Sequence, residues 1–175
     1  LTLLTLLTNP PFRPIYYFKT INMDFKAEKL CRTAQILVNE NIDTVFPLFG
    51  AFEERKWAKG WAPVLVYPAT ETIEEGTTFR TRANDPRESE YLWRVSKFEP
   101  QKHLIQYLVS TENRYWTITV TCSVSGDRQT CAEITYCYIG LNPLGNELNR
   151  QSLDAMYRDD LRDWQEEINQ YLATL

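Results

Sequence analysis

The sequence predicts one α+β domain in which a curved antiparallel sheet of about seven strands wraps a long C-terminal helix, with two short helices after the first strand. Three observations predict it. Six extended stretches follow one another between residues 64 and 139, with short, turn-rich connections that suit an antiparallel meander. After Pro143 the apolar period changes from two to about 3.6, which marks an amphipathic helix. The length of 175 residues is that of a single domain with one well-buried core.

The first strand runs from Leu30 to Val38, with Leu30, Ala34, Ile36 and Val38 on one face and Cys31, Thr33 and Gln35 on the other. Asn41 to Asp43 start a helix in which Asp43 caps the segment Thr44 to Phe49, and Pro47 sits early enough to be tolerated. A second short helix spans Glu53 to Ala58, and Gly60, Trp61 and Pro63 then turn the chain. The six extended stretches are Val64 to Pro68, Thr77 to Ala83, Tyr91 to Phe98, Leu104 to Thr111, Arg114 to Ser125 and Cys131 to Ile139. In the fifth of them Trp116, Ile118, Val120, Cys122 and Val124 share an inner face, and its partner turns Ala132, Ile134, Tyr136 and Tyr138 the same way.

Leu153, Tyr157, Leu161, Trp164, Ile168 and Leu172 then form the apolar stripe of one helix over residues 144–172. Arg150, Asp154, Arg158, Asp159, Arg162 and Glu166 form its solvated face. An antiparallel sheet with one wet face must cover the other, and this helix is the only adequate cover. Sheet and helix leave a wedge between them, with the short helices as its lid.

A formal charge of −4 without a local Lys/Arg cluster excludes a footprint for nucleic acid or anionic lipid surfaces. Five Trp and ten Tyr exceed what a core of this size needs, and the excess suggests a lined cavity. Cys31, Cys122, Cys131 and Cys137 have no zinc spacing and only His103 to help them. They read as free thiols in a reducing cytosol, so a cytoplasmic protein without metal or cofactor is expected. Leu1 to Thr8 are apolar but lack a basic leader, and Pro10, Pro11 and Pro14 follow too soon for a membrane span. Residues 1–22 are set aside as a tag, a mis-set start or a loose extension, and residues 23–175 form the domain.

The element order, with Asn41-Ile42-Asp43-Thr44-Val45-Phe46, Glu54-Arg55-Lys56-Trp57, Gly60-Trp61-Ala62-Pro63, Glu75-Gly76-Thr77-Thr78-Phe79 and Asn113-Arg114, resembles the START-like or SRPBCC superfamily. The resemblance covers about residues 27 to 173 and is nearest the bacterial branch described as polyketide cyclase/dehydrase-like. It implies the helix-grip fold, and a superfamily that hosts binding, lipid transfer and catalysis on one frame.

The candidate ligand-binding residues are Trp57, Trp61, Phe79, Trp93, Tyr107, Arg114, Trp116, Ile118, Tyr136, Tyr138, Tyr157, Leu161 and Trp164. Arg114 continues the inward series of Trp116 and Ile118. It is expected to meet Glu54, or failing that Glu53, at the cavity mouth; a strand-end arginine reaching solvent is the alternative. Tyr136 and Tyr138 would either orient a ligand carbonyl or phenol or satisfy hydrogen bonds of the core. His103 lies in a tight connection and is expected to face water. No phosphate loop, GxSxG elbow or HExxH segment occurs. Binding of a small apolar or aromatic molecule, lipid-like or polyketide-like, is therefore the expected function, with no catalytic residue assigned; a cofactor-free cyclase or dehydratase is the alternative.

Overall fold

The computed structural model describes residues 25–175, and the extension expected at 1–22 lies outside them. Seven antiparallel strands form one open sheet in the order β1-β7-β6-β5-β4-β3-β2. These are β1 Lys29–Val38, β2 Val64–Tyr67, β3 Thr78–Arg82, β4 Glu90–Glu99, β5 Leu104–Ser110, β6 Arg114–Gly126 and β7 Gln129–Gly140. Between β1 and β2 lie α1, Ile42–Val45, and the 3₁₀ segments Phe46–Phe49 and Glu53–Lys56. The cap of α1 is Asn41, whose side chain accepts from the Thr44 amide at 3.1 Å, rather than the expected Asp43.

Alternation sets the inner face. Trp116 pairs with Tyr138, Ile118 with Tyr136, Val120 with Ile134 and Cys122 with Ala132, and all but the half-buried Tyr136 are buried. The inward series ends one residue earlier than expected: Val124 is 70% exposed, because the register shifts between Val124 and Gly126.

The single C-terminal helix expected over 144–172 is instead two, α2 Pro143–Asp159 and α3 Arg162–Leu172. Asp160 and Leu161 between them both adopt the left-handed conformation, with φ of 56° and 59°. The Asp160 amide closes α2 on Met156 O, and the Gln165 amide opens α3 on Leu161 O. Two consecutive left-handed residues that are not glycine cost about 1–2 kcal/mol each, and tertiary contacts hold them. Arg32 Nη2 reaches Asp160 Oδ1 at 2.6 Å, and Leu161 is buried. Beyond the break, Gln165 Oε1 accepts from the Leu37 amide and Asn169 Oδ1 from the Asn39 amide, both at 2.8 Å. Side chains of α3 thus occupy the open edge of β1, which would otherwise present unpaired amides.

The start of α2 is fastened to the start of β6. Asn142 caps the helix by accepting from the Gly145 amide, and a Cβ at Gly145 would lie 1.9 Å from Asn113 O. Only glycine allows that approach, which brings Ser152 on α2 to Arg114 on β6.

Cys31 and Cys137 stand opposite each other in the β1–β7 register and form a disulfide. The expectation of four free thiols is therefore corrected: Cys122 and Cys131 alone are free. Periodicity put Cys31 on the outer face but could not show that Cys137 lies across from it. Disulfides persist in oxidising compartments, so the cytoplasmic expectation loses the support it drew from free thiols. No helix among the described residues is long and apolar enough to cross a membrane.

Candidate functional site

The inner face is filled at one end and open at the other. At the filled end Phe46, Leu48 and Phe49 pack with Trp57, Phe79 and Tyr107. The polar atoms of these rings are spent on backbone: Trp57 Nε1 donates to Leu48 O and Tyr107 Oη to Phe49 O, each at 2.8 Å. Trp57, Phe79 and Tyr107, expected at a ligand, belong to this closed core instead.

At the open end a cavity of about 1000 Å³ lies between the sheet and the C-terminal helices. Of the candidate residues, Trp61, Trp93, Arg114, Trp116, Ile118, Tyr136, Tyr138, Leu161 and Trp164 line it. The side chain of Tyr157 lies outside the described part. The rings form a connected wall. Trp93 meets Trp61 edge-on at 5.3 Å, Tyr91 meets Trp116 edge-on at 5.1 Å, and Tyr136 stacks on Tyr138 at 5.8 Å.

The polar end of the cavity is built around Arg114, which is 3% exposed. Its partner is Glu88, 2.7 Å from Nη2 and also within reach of Nε, not the expected Glu54 or Glu53. The reason is topological. Glu88 lies in the connection between β3 and β4, and Thr111 Oγ1 holds its carboxylate by donating at 2.7 Å. Glu53 pairs instead with Lys56 at the surface. Arg114 also donates to Ser152 Oγ at 2.9 Å and lies over the Trp116 ring at 5.0 Å. Ion pair, hydroxyls and ring make a buried network in which the charge is compensated.

Glu54 is half-buried without a side-chain partner among the described residues. Burial holds its carboxyl well above the ordinary carboxylate range, and its charge reaches Tyr107 and Tyr136. Burial likewise raises the Tyr136 and Tyr138 hydroxyls, which therefore stay protonated. At the mouth stand Asp85, Asp159, Asp163 and Glu167, with Lys59 and Arg82. Burial raises the Asp163 carboxyl, and its neighbour Asp159 raises it further by charge and hydrogen bonding. Asp159, read as part of the solvated face, thus turns to the cavity lip. His103 is not simply in water: its ring packs edge-on against Phe46 at 5.5 Å and Nε2 lies 3.5 Å from Asp43.

Sequence reasoning missed Glu88, Tyr91, Ser152, Met156 and Asp163. Tyr91 was within its reach, because Tyr91, Trp93 and Val95 alternate on β4 as Trp116 and Ile118 do on β6. Glu88 gave no signal, since nothing in a loop acid's spacing says that it folds inward. No group of three or more His, Cys, Asp or Glu positioned to hold a metal occurs among the described residues.

No family model matches the sequence, and no curated protein matches it. Solved structures do match the fold. Norcoclaurine synthase from Thalictrum flavum, in complex with dopamine and hydroxybenzaldehyde, is similar with a TM-score of 0.63 at 12% identity, over 85% of this chain and 88% of that one. Zhui aromatase/cyclase from Streptomyces sp. R1128 gives 0.60 at 10% identity, over 81% and 92%. A protein from Rhizobium leguminosarum gives 0.60 at 15% identity, over 86% and 98%. At these identities the likeness is one of fold.

Proposed function

We propose, on the helix-grip fold that this chain shares with the START-like superfamily, that the cavity between sheet and C-terminal helices binds a small apolar or aromatic molecule. The observation that carries this is a cavity of about 1000 Å³ walled by Trp61, Trp93, Trp116, Tyr136, Tyr138 and Trp164. Ligand cavities typically measure about 300–1,000 Å³ and combine apolar walls with a few placed polar groups. Flat rings on several sides favour a flat guest, which gains contact area without ordering flexible chains. That the similar fold of norcoclaurine synthase is seen with dopamine and hydroxybenzaldehyde supports an aromatic guest.

Native mass spectrometry of freshly purified protein tests the reading. A co-purified small molecule, lost on denaturation, is expected. Absence of an adduct, together with unchanged tryptophan fluorescence across polycyclic, fatty-acyl and phenolic compounds, would defeat it.

A cofactor-free cyclase or dehydratase is the second reading, and one observation favours it. Asp163 stands at the mouth beside Asp159 with its carboxyl raised above the ordinary value by burial, and a carboxyl raised in this way is suited to general acid–base work. Conversion of a bound polyketide-like substrate, abolished by Asp163→Asn with binding retained, would select this reading over simple binding.

A further inference from the structure

We infer that the ligand of this cavity is an uncharged molecule presenting a hydrogen-bond acceptor, a carbonyl or ether oxygen, to the Tyr138 and Tyr91 hydroxyls beside Arg114. The inference rests on the proposed binding function and names the class of guest.

The argument is an account of donors and acceptors at the buried end. Tyr138 is 6% exposed and lines the cavity, yet its hydroxyl has no hydrogen-bond partner among the described residues. Tyr91 is 7% exposed and lines the same wall. Its oxygen accepts twice, from the Asn84 amide at 3.3 Å and from Arg114 Nη2 at 3.4 Å, so what it has left to offer is its proton. Arg114 spends Nε and Nη2 on Glu88 and one Nη1 proton on Ser152, which leaves the other Nη1 proton.

The acceptors nearby are occupied. Both Glu88 oxygens are engaged, one by Thr111 and Arg114 Nε, the other by Arg114. An entering oxygen offers these cavity-facing protons an acceptor that the side chains around them do not supply. What a guest donor finds at this end is hydroxyl oxygen, that of Tyr138 and the second lone pair of Ser152 Oγ, which accepts once from Arg114. The three donors stand around one ring: Arg114 lies 5.0 Å, the Tyr91 ring 5.1 Å and the Tyr138 ring 5.9 Å from the Trp116 indole.

Charge decides between a neutral oxygen and a carboxylate. Glu88 already compensates Arg114 at 2.7 Å, so no net positive charge awaits an anion. The lip adds four acidic residues, Asp85, Asp159, Asp163 and Glu167, against Lys59 and Arg82, and this balance disfavours passage of an anion.

Fluorene, 9-fluorenone and fluorene-9-carboxylate share a flat frame and differ in this one feature. Equilibrium dialysis of each against wild type and Tyr138→Phe tests the inference. Fluorenone is expected to bind wild type up to about tenfold more tightly than fluorene, the worth of roughly one net hydrogen bond, with the carboxylate weakest. Tyr138→Phe should lower the ratio of fluorenone to fluorene affinity and leave the melting temperature unchanged, because the hydroxyl has no partner among the described residues to lose. Equal binding of fluorene and fluorenone, a carboxylate that binds best, or a loss in Tyr138→Phe shared by all three would overturn it. If none of the three binds and the freshly purified protein carries no small-molecule adduct, the binding function itself fails and the inference with it; if an adduct is present but none of the three binds, the inference alone fails.

Discussion

The two halves of the inner face use the same kinds of ring for opposite ends. In the filled half the indole of Trp57 and the hydroxyl of Tyr107 donate to the backbone carbonyls of Leu48 and Phe49. In the open half Tyr136 and Tyr138 line a cavity of about 1000 Å³, and their hydroxyls find no partner among the described residues. An aromatic residue is thus assigned to core or to site less by its size or its face than by where its polar atom is spent.

The largest effect that would sharpen this contrast lies at the ion pair on the boundary of the open half. Arg114→Met leaves the Glu88 carboxylate buried without its cation, and should destabilise by about 3–5 kcal/mol, read as a fall in denaturation midpoint. The double variant with Glu88→Gln should recover much of the loss. Strict additivity of the two single changes would show that the pair is not a coupled unit.

Next in size is a matched pair of hydroxyl deletions. Tyr107→Phe strands the buried Phe49 carbonyl and should cost about 1–3 kcal/mol. Tyr138→Phe should cost nothing measurable, and equal losses in thermal melts would break the distinction between the halves.

The smallest effect concerns Glu54, whose folded carboxyl sits above its unfolded value through burial. Between those two values the folded state holds the extra proton, so stability falls as pH rises through that window, and the full penalty is present above it. Glu54→Gln does not titrate. It should melt a few degrees above wild type at about pH 8, and the gap should close by about pH 4, near the ordinary carboxylate value. A gap independent of pH would mean that Glu54 titrates alike in the folded and unfolded states.

How much of this was legible in the sequence follows the reach of each signal. Alternation is a local signal, and it placed all seven strands and the inward positions Trp116, Ile118, Tyr136 and Tyr138. The filled and open halves were not separable, because Phe79 and Trp93 alternate inward alike on paired strands and differ in which long-range neighbour closes over them. The helix break was invisible for a related reason. Leu161 fits the apolar period of a continuous helix, and its left-handed backbone is held by contacts rather than announced by glycine. The Cys31–Cys137 bridge and the Arg114–Glu88 pair both depend on which strand or loop lies opposite, information that periodicity does not carry.

The most direct measurement of the central claim is a titration of ¹⁵N-indole-labelled protein with 9-fluorenone, followed by two-dimensional NMR. The protein has five tryptophans; Trp61, Trp93, Trp116 and Trp164 line the open half, and Trp57 belongs to the filled one. The four cavity indole signals should move in a saturable way, and the Trp57 signal, whose ring meets Trp164 at 5.5 Å, should move least, an internal control that requires no second protein. Five signals that remain still, or a Trp57 signal that moves as far as the rest, would contradict the division between a closed core and an open site.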